Sequence, residues 1–464
     1  MKERNSGTIT KSVLDNLVSL PARVVAHLKM PLYHNGYALA LSAGLSSILG
    51  LLFWILVARF YPTSTVGINS AVLSAMLLLS GIAQLGLNSV LVRFIPVAGS
   101  TTPRLIKYAY LTSVVATAVS VLIFTLGASL WAPSLRLLLE QPLFLVSFIA
   151  ASIIWSIFSL QDSVLTGLRK AVWVPVENTI FSVLKIVLLI LFASTFQLYG
   201  ILAAWMLPVA ILIIPVNLLI FKRLLPRYLA ESREKDPDKA LSMGWIARYT
   251  TGNYIGTLFT LLSATLLPLL IFERLGADQN AYFYLPWTIT TSLQLLGQNM
   301  TTSLVVEAAS EQEKLSAYGY RILIHSLRLL LPIVAVLVFG APLILRIFGS
   351  AYSEEGSQLL RLLALAVIPN LVVVLYIGIA RVQNQIKGMV LVQGLLSALV
   401  IGSSLILMEV FGITGVGWGW LGSQSLVAVF LLIAILRPLI KKRASSSQGH
   451  GWNQQSERAG GEEG

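Results

Sequence analysis

Long apolar segments separated by short polar breaks constrain this chain more than any other feature. Apolar residues make up 56% of its 464 residues and charged residues 11%, whereas soluble domains carry about 25% charged residues. A helix needs roughly 20 apolar residues to cross ~30 Å of hydrocarbon. The sequence therefore predicts an all-α polytopic membrane protein with about twelve transmembrane helices. The predicted segments are approximately 33–60, 66–95, 105–131, 141–167, 172–196, 199–221, 246–272, 280–306, 318–340, 357–380, 386–409 and 412–436.

The basic residues predict the orientation of these helices. Most of the 33 Lys and Arg residues fall in the two terminal segments and in the loops on the same side, and such an excess marks the cytoplasmic side. We therefore expect both termini in the cytoplasm. The net charge of +13 then reflects orientation and contact with anionic membrane lipids, so we expect no nucleic-acid partner.

A basic break at residues 222–245 divides the twelve segments six and six. Shifting the sequence by 212 residues places Tyr199-Gly200-Ile201 on Phe411-Gly412-Ile413, which indicates an internal repeat. Two six-helix lobes of one orientation predict a pseudo-axis along the membrane normal and a cavity between the lobes. The predicted parts are a cytoplasmic arm (1–32), an N-lobe (33–221), a cytoplasmic linker (222–245), a C-lobe (246–437) and a disordered cytoplasmic tail (438–464).

The hairpin between Phe53 and Pro96 carries a family resemblance. Its elements Ala58-Arg59-Phe60, Gly67, Leu85-Gly86-Leu87 and Arg93 resemble the first hairpin of the polysaccharide transporters, the oligosaccharide-lipid flippases of the multidrug/oligosaccharidyl-lipid/polysaccharide (MOP) exporter superfamily. The resemblance implies a MATE-like fold, alternating access and export of a polyprenyl-diphosphate-linked oligosaccharide for cell-surface polysaccharide. It also implies a multi-pass protein of the inner or plasma membrane. We further expect a monomer, with polysaccharide-assembly enzymes as partners.

Three cationic side chains are candidates for binding the diphosphate: Lys185, Arg328 and Arg59. A charge within the membrane costs ~2.5–3.5 kcal/mol on insertion scales and normally faces protein or water. Lys185 falls near the middle of the fifth segment and Arg328 within the ninth. The alternatives for Lys185 are snorkelling towards the membrane surface and pairing with a neighbouring carboxylate. The predicted depths of Lys185 and Asp162 differ by roughly 13 Å, which is too far for a direct contact. The alternative for the arginines is anchoring to lipid headgroups.

Five amide side chains are candidates for contacting sugar hydroxyls: Asn69, Gln84, Asn88, Gln294 and Gln298. The pair Gln84 and Asn88 lies one turn apart on the predicted second helix, and Gln294 and Gln298 lie one turn apart on the eighth. In two related lobes these pairs would be equivalent polar patches. The alternative is hydrogen bonding between helices, worth about 0.6 kcal/mol each in membranes.

Asp162 and His325 are the titratable candidates for coupling transport to an ion. An unperturbed histidine titrates near pH 6.5, although a structural hydrogen-bonded histidine is the alternative. The chain has no cysteine, and it lacks the nucleotide-binding, zinc-protease and other metal motifs. We therefore predict no catalytic residue, no metal site and no cofactor.

Two other functions stay open on the sequence. A MATE-type drug/cation antiporter favours carboxylates in its cavity, whereas the deep charges here are mostly cationic. A membrane glycosyltransferase or polymer ligase usually has a large active-site loop, and the predicted loops of this chain are short. We therefore expect a transporter rather than an enzyme.

Overall fold

The computed structural model describes residues 47–232, 243–308, 315–383 and 385–459, and these residues form helices joined by short turns without any strand. Nine of the described helical stretches are long and apolar enough to cross a membrane. The all-helical prediction is confirmed. The number of twelve helices and the cytoplasmic position of the termini stay predictions.

The helices divide into two compact units. Among the described residues, the first comprises 47–60, 79–131, 136–232 and 243–250, and the second comprises 61–78, 132–135, 251–308, 315–383 and 385–459. The helices of the first half are α1 (Ser47–Phe60), α2 (Thr63–Ala83), α3 (Leu87–Ala98), α4 (Thr102–Leu126), α5 (Ala128–Trp131), α6 (Pro133–Leu139), α7 (Pro142–Gly167), α8 (Trp173–Phe192), α9 (Gly200–Leu219) and α10 (Leu225–Ser232). Those of the second half are α11 (Met243–Leu275), α12 (Ala277–Ala308), α13 (Leu315–Arg346), α14 (Ser350–Val382) and α15 (Ile386–Ala459).

The predicted second transmembrane helix is two helices, because the chain turns between α2 and α3. Leu85 and Gly86 have φ values of 48° and 74°, in the left-handed region that ends a right-handed helix. The amide of Leu87 then donates to the carbonyl of Gln84 at 2.7 Å. The prediction that Gln84 and Asn88 share one helix is therefore wrong, since Gln84 lies in the turn.

Gly86→Ala is expected to lower the stability of the protein. An alanine at this left-handed position costs about 1–2 kcal/mol relative to glycine, so the midpoint of thermal unfolding in detergent should fall. Gly422→Ala is the matched control, because Gly422 lies within α15 and an added Cβ there meets no atom within 4 Å. An equal effect of the two substitutions would show that the turn does not require glycine.

The second unit contains a close contact between the first turns of α2 and α12. A Cβ added to Gly67 would lie 1.7 Å from the carbonyl oxygen of Ala277. The buried amide of Asn280 donates to the carbonyl of Gly67 at 2.8 Å and to the hydroxyl of Ser70 at 3.0 Å. Residues 61–78 are thus held within this unit by backbone proximity and by hydrogen bonds.

The long helix α15 bends at Gly412, whose φ of 58° and ψ of −142° are not helical. The bend lies at the predicted boundary between the last two apolar segments. The helix continues to Ala459, into the segment predicted as a disordered tail, and the predicted limits of the lobes, linker and tail stay predictions.

Candidate functional site

The second unit holds a cavity of about 470 Å³ between α11, α12, α14 and α15. Its wall is largely apolar, and its polar side chains are mainly of one kind: uncharged amides and hydroxyls. The polar and aromatic lining residues are Thr257, Thr260, Ser263, Thr291, Gln294, Gln298, Asn370, Gln393, Ser397, Gln424, Trp287, Trp420 and Arg381. The lining residues include one cation and no carboxylate.

Two pairs of these side chains are already joined by hydrogen bonds. Gln393 donates to the hydroxyl of Thr260 at 3.0 Å, and Asn370 donates to Gln424 at 3.4 Å. The Oε1 atom of Gln393 and the indole nitrogen of Trp420 are buried without a partner. Both residues line the cavity, so a small side-chain movement would offer this acceptor and this donor to a ligand, and a hydroxyl group serves as partner to either.

Two indole rings give the same cavity a rigid apolar face. Trp287 and Trp420 meet edge to face, with their centroids 4.7 Å apart, and both rings are nearly fully buried. Pockets for small molecules combine such apolar surfaces with a few placed polar groups. This combination suits a ligand whose rings have apolar faces and carry hydroxyl groups around their edges.

The structure places two of the predicted sugar-contacting residues in this cavity. Gln294 and Gln298 lie one turn apart on α12, and both line the wall. Neither side chain forms a hydrogen bond with another residue of the described part of the chain. Their amides are therefore available to a ligand.

Sequence reasoning missed most of the cavity wall. Neither Arg381 nor Trp420 is among the site residues predicted from the sequence. The helical spacing of polar residues such as Gln393 and Ser397 could have indicated a polar helix face that contributes to this wall. A repeat of three or four residues marks one face of a helix, but several faces converge on this cavity only in three dimensions.

Lys185 lies in the first unit, enclosed by aromatic rings. Its ammonium nitrogen is 4.0 Å from the ring centroid of Trp205, 4.5 Å from that of Phe53 and 4.9 Å from that of Phe181. The residue is 4% exposed. Each ring presents its electron-rich face to the cation, and this attraction is strongest in desolvated sites.

No carboxylate in the described ranges forms an ion pair with Lys185. The predicted separation of Lys185 from Asp162 agrees with this arrangement. Contacts with three aromatic rings favour the ammonium form, and no carboxylate of the described residues is paired with it. It can therefore bind an anion, provided that the rings part to admit one.

The amides predicted in the first half are largely engaged with the protein. Asn88 donates to Gln84 at 2.6 Å, and Ser163 of α7 donates to Asn88 at 3.2 Å. Asn69 is buried and donates to the carbonyl of Thr65 one turn earlier. Only the contact between Ser163 and Asn88 joins two helices, and the other two contacts join residues four positions apart in the chain.

The remaining predicted residues are distributed over other surfaces. Arg59, His325 and Arg328 are exposed, and none of them lines the cavity. Asp162 lies in α7 and accepts a hydrogen bond from Asn178 of α8 at 3.3 Å. Beside it is Glu177, a buried carboxylate that sequence reasoning missed, although an acidic residue in an apolar segment was a signal.

A family model described as "Polysaccharide biosynthesis protein" matches residues 32–296, which is more than half of the chain. Comparison with curated proteins gives no match. The family match includes the hairpin that carries the resemblance described above, and the proposed relation to this family is confirmed.

Solved structures of several transporters share the fold. The lipid II flippase MurJ in an inward closed conformation superposes with a TM-score of 0.67 at 12% identity, covering 85% of this chain and 87% of that one. An inward-facing multidrug resistance MATE family transporter of the MOP superfamily gives 0.65 at 17% identity, covering 86% and 96%. A MOP superfamily transporter from Pyrococcus furiosus gives 0.57 at 14% identity, covering 87% and 95%. At these identities the likeness establishes the fold.

Proposed function

The chain belongs to the polysaccharide biosynthesis protein family, and we propose that it moves a polyprenyl-diphosphate-linked oligosaccharide across the cell membrane by alternating access. One observation carries the proposal to this substrate class: the amide- and hydroxyl-lined cavity of the second unit. Sugars present many hydroxyls that act as donors and acceptors, and uncharged amides satisfy both roles.

The sugar is proposed to bind between the tryptophans and the glutamines of this cavity. Gln294 and Gln298 would contact hydroxyls, and the unpartnered atoms of Gln393 and Trp420 would complete the set. The apolar faces of the sugar rings would lie against the indoles. Asn69, Gln84 and Asn88 are weaker candidates for sugar, because the hydrogen bonds described above already engage them.

The diphosphate requires cations. Lys185, Arg328 and Arg59 stay proposed ligands, and Arg381 joins them because it lines the cavity. A phosphate oxygen bound to an ammonium or a guanidinium forms a charge-assisted hydrogen bond, roughly twice as strong as a neutral one. Lys185 is enclosed in the described conformation, so its contact with diphosphate would belong to another state of the transport cycle.

The chemistry of the cavity disfavours a drug/cation antiporter. A lipophilic cation is bound best near a carboxylate, and the lining residues include an arginine and no acidic side chain. The solved structures that share the fold are those of a transporter and a flippase, which disfavours a glycosyltransferase or ligase.

The double variant Gln294→Ala/Gln298→Ala is expected to weaken binding of a short-chain polyprenyl diphosphate that carries one N-acetylated sugar. Each lost hydrogen bond contributes about 0.5–1.5 kcal/mol, so the pair should weaken binding by about tenfold. Native mass spectrometry of the full chain in detergent would measure the bound fraction.

Three comparisons make the measurement specific. Gln383→Ala is the matched control, because Gln383 is exposed and does not line the cavity. The same polyprenyl diphosphate without sugar should bind the double variant and the unmodified chain equally. Tighter binding of a lipophilic cation such as ethidium than of the sugar-bearing lipid would contradict the proposed substrate class.

A further inference from the structure

Two carboxyl groups are buried together in the first unit with too few partners. Glu177, in the second turn of α8, is 4% exposed, and neither of its carboxyl oxygens has a hydrogen-bond partner. The Oδ1 atom of Asp162, in α7, is also buried without a partner. Three of the four oxygens therefore lack the contacts that a buried carboxylate requires.

The two carboxyl groups belong to one region between α7 and α8, because Asn178, the residue after Glu177, donates to Asp162. The phenol of Tyr110 in α4 lies near Glu177. That phenol donates its proton to Asn217 of α9 at 3.2 Å, so it does not supply a hydrogen bond to Glu177. The group facing Asp162 is the amide of Asn178. These neighbours offer no positive charge to either carboxyl group.

The cations of the same region do not neutralise the pair. Lys185 is two turns further along α8, among the aromatic rings described above. Arg169 and Lys170 are exposed in the turn between α7 and α8. In the described part of the chain, neither Asp162 nor Glu177 forms an ion pair.

Two buried carboxylates without a cation cannot both be ionised, because their desolvation and mutual repulsion add. We propose that Asp162 and Glu177 form a proton-binding site that holds at least one proton at neutral pH and exchanges it during the transport cycle. Binding of the proton removes the negative charge of one carboxyl group and with it most of the desolvation cost of that group. The exchange step rests on the proposed function, whereas the presence of the proton does not.

The orientation of Asn178 favours a proton over a metal cation. Its amide nitrogen donates both to Asp162 and to the carbonyl of Val174, at 3.1 Å for the latter. The Val174 carbonyl fixes which end of the amide is the donor, so a positively polarised N–H group points at Asp162. A hard cation requires several oxygen ligands instead, and the described residues contain no group of three acidic, histidine or cysteine side chains suited to a metal.

Infrared spectroscopy of the purified full-length chain in lipid nanodiscs tests for the proton without any substrate. A protonated carboxyl group absorbs at a C=O stretching frequency separate from that of a carboxylate. We expect this band at neutral pH in the unmodified chain, and we expect it to be lost in Asp162→Asn/Glu177→Gln. The matched control is Glu354→Gln, which removes an exposed carboxylate of α14 and should leave the band unchanged.

The two single variants keep the test decisive if the double variant does not fold. Glu177→Gln and Asp162→Asn preserve the side-chain shapes, and at least one of them should lose or shift the band. A band that is identical in the unmodified chain and in both single variants would overturn the proposal. Absence of the band from the unmodified chain at neutral pH would overturn it as well.

Proteoliposomes test the exchange step with the sugar-bearing polyprenyl diphosphate as probe. We expect an imposed pH gradient to change the rate of translocation and Glu177→Gln to abolish that response. A sodium gradient at constant pH should have no effect. A response to sodium that Glu177→Gln removes would overturn the assignment to a proton. If the infrared band is present but the probe is not translocated, the proposed function fails and the proton site stands.

Discussion

Replacing Lys185 by methionine is expected to slow translocation of the sugar-bearing lipid by at least tenfold and to leave the protein as stable as the unmodified chain or more so. Methionine matches the unbranched shape of lysine, and its sulfur packs well against aromatic rings. The substitution removes a buried ammonium that is 4% exposed and has a large desolvation cost. It also removes a cation proposed to bind the diphosphate, where a hydrogen bond between charged groups is worth about 1.5–3 kcal/mol.

Separate readouts distinguish the structural role of Lys185 from its proposed binding role. The loss of about 1.5–3 kcal/mol predicts roughly 10- to 150-fold weaker translocation in proteoliposomes, while the midpoint of thermal unfolding should stay constant or rise. Lys170→Met, at an exposed lysine in the turn before α8, is the matched control and should change neither quantity. Normal translocation by Lys185→Met would remove this residue from the proposed diphosphate site.

Gly67→Ala is expected to destabilise the protein strongly. Its Cβ would lie 1.7 Å from the carbonyl oxygen of Ala277, and because this atom belongs to the backbone, only a movement of α2 or α12 relieves the overlap. That movement also breaks the hydrogen bond from Asn280 to Gly67. Overpacking costs about 1–3 kcal/mol and an unsatisfied buried polar group about 1–3 kcal/mol. We therefore expect the free energy of unfolding to fall by about 2–6 kcal/mol.

Gly402→Ala is the control for this substitution and should have the opposite sign. Gly402 lies within α15, and a Cβ there meets no atom within 4 Å. Alanine favours helix over glycine by about 0.8–1 kcal/mol, so the midpoint of thermal unfolding should rise slightly. Equal midpoints for Gly67→Ala and the unmodified chain would contradict the described contact between α2 and α12.

Several features of the first hairpin could be recognised from the sequence but not explained by it. Gly67 and Leu85-Gly86-Leu87 are recognised as family motifs by their residue types and spacing alone. The structure supplies a physical reason for each: Gly67 allows a backbone contact, and Gly86 occupies a left-handed turn. A helix-breaking turn inside an apolar segment has no hydropathy signal, which is why one continuous helix was predicted there.

The candidate site could be predicted only in part. Gln294 and Gln298 were found from their polar character and their spacing of one turn, and both line the cavity. Gln84 and Asn88 have the same character, yet they hydrogen-bond to each other and to Ser163. An amide in an apolar helix signals that a partner exists, but its spacing does not say whether that partner is protein or ligand.

The sequence by itself determined the class of this protein: the apolar segments require membrane-spanning helices, and the hairpin motif indicates the family that the family model confirms. These properties depend on composition and on the spacing of nearby residues, and both can be read directly from the linear sequence. Only the tertiary structure decided which polar groups share a cavity, that aromatic rings surround Lys185 and that Glu177 lies beside Asp162. Such contacts join helices far apart in the chain, and their energies depend on burial and distance.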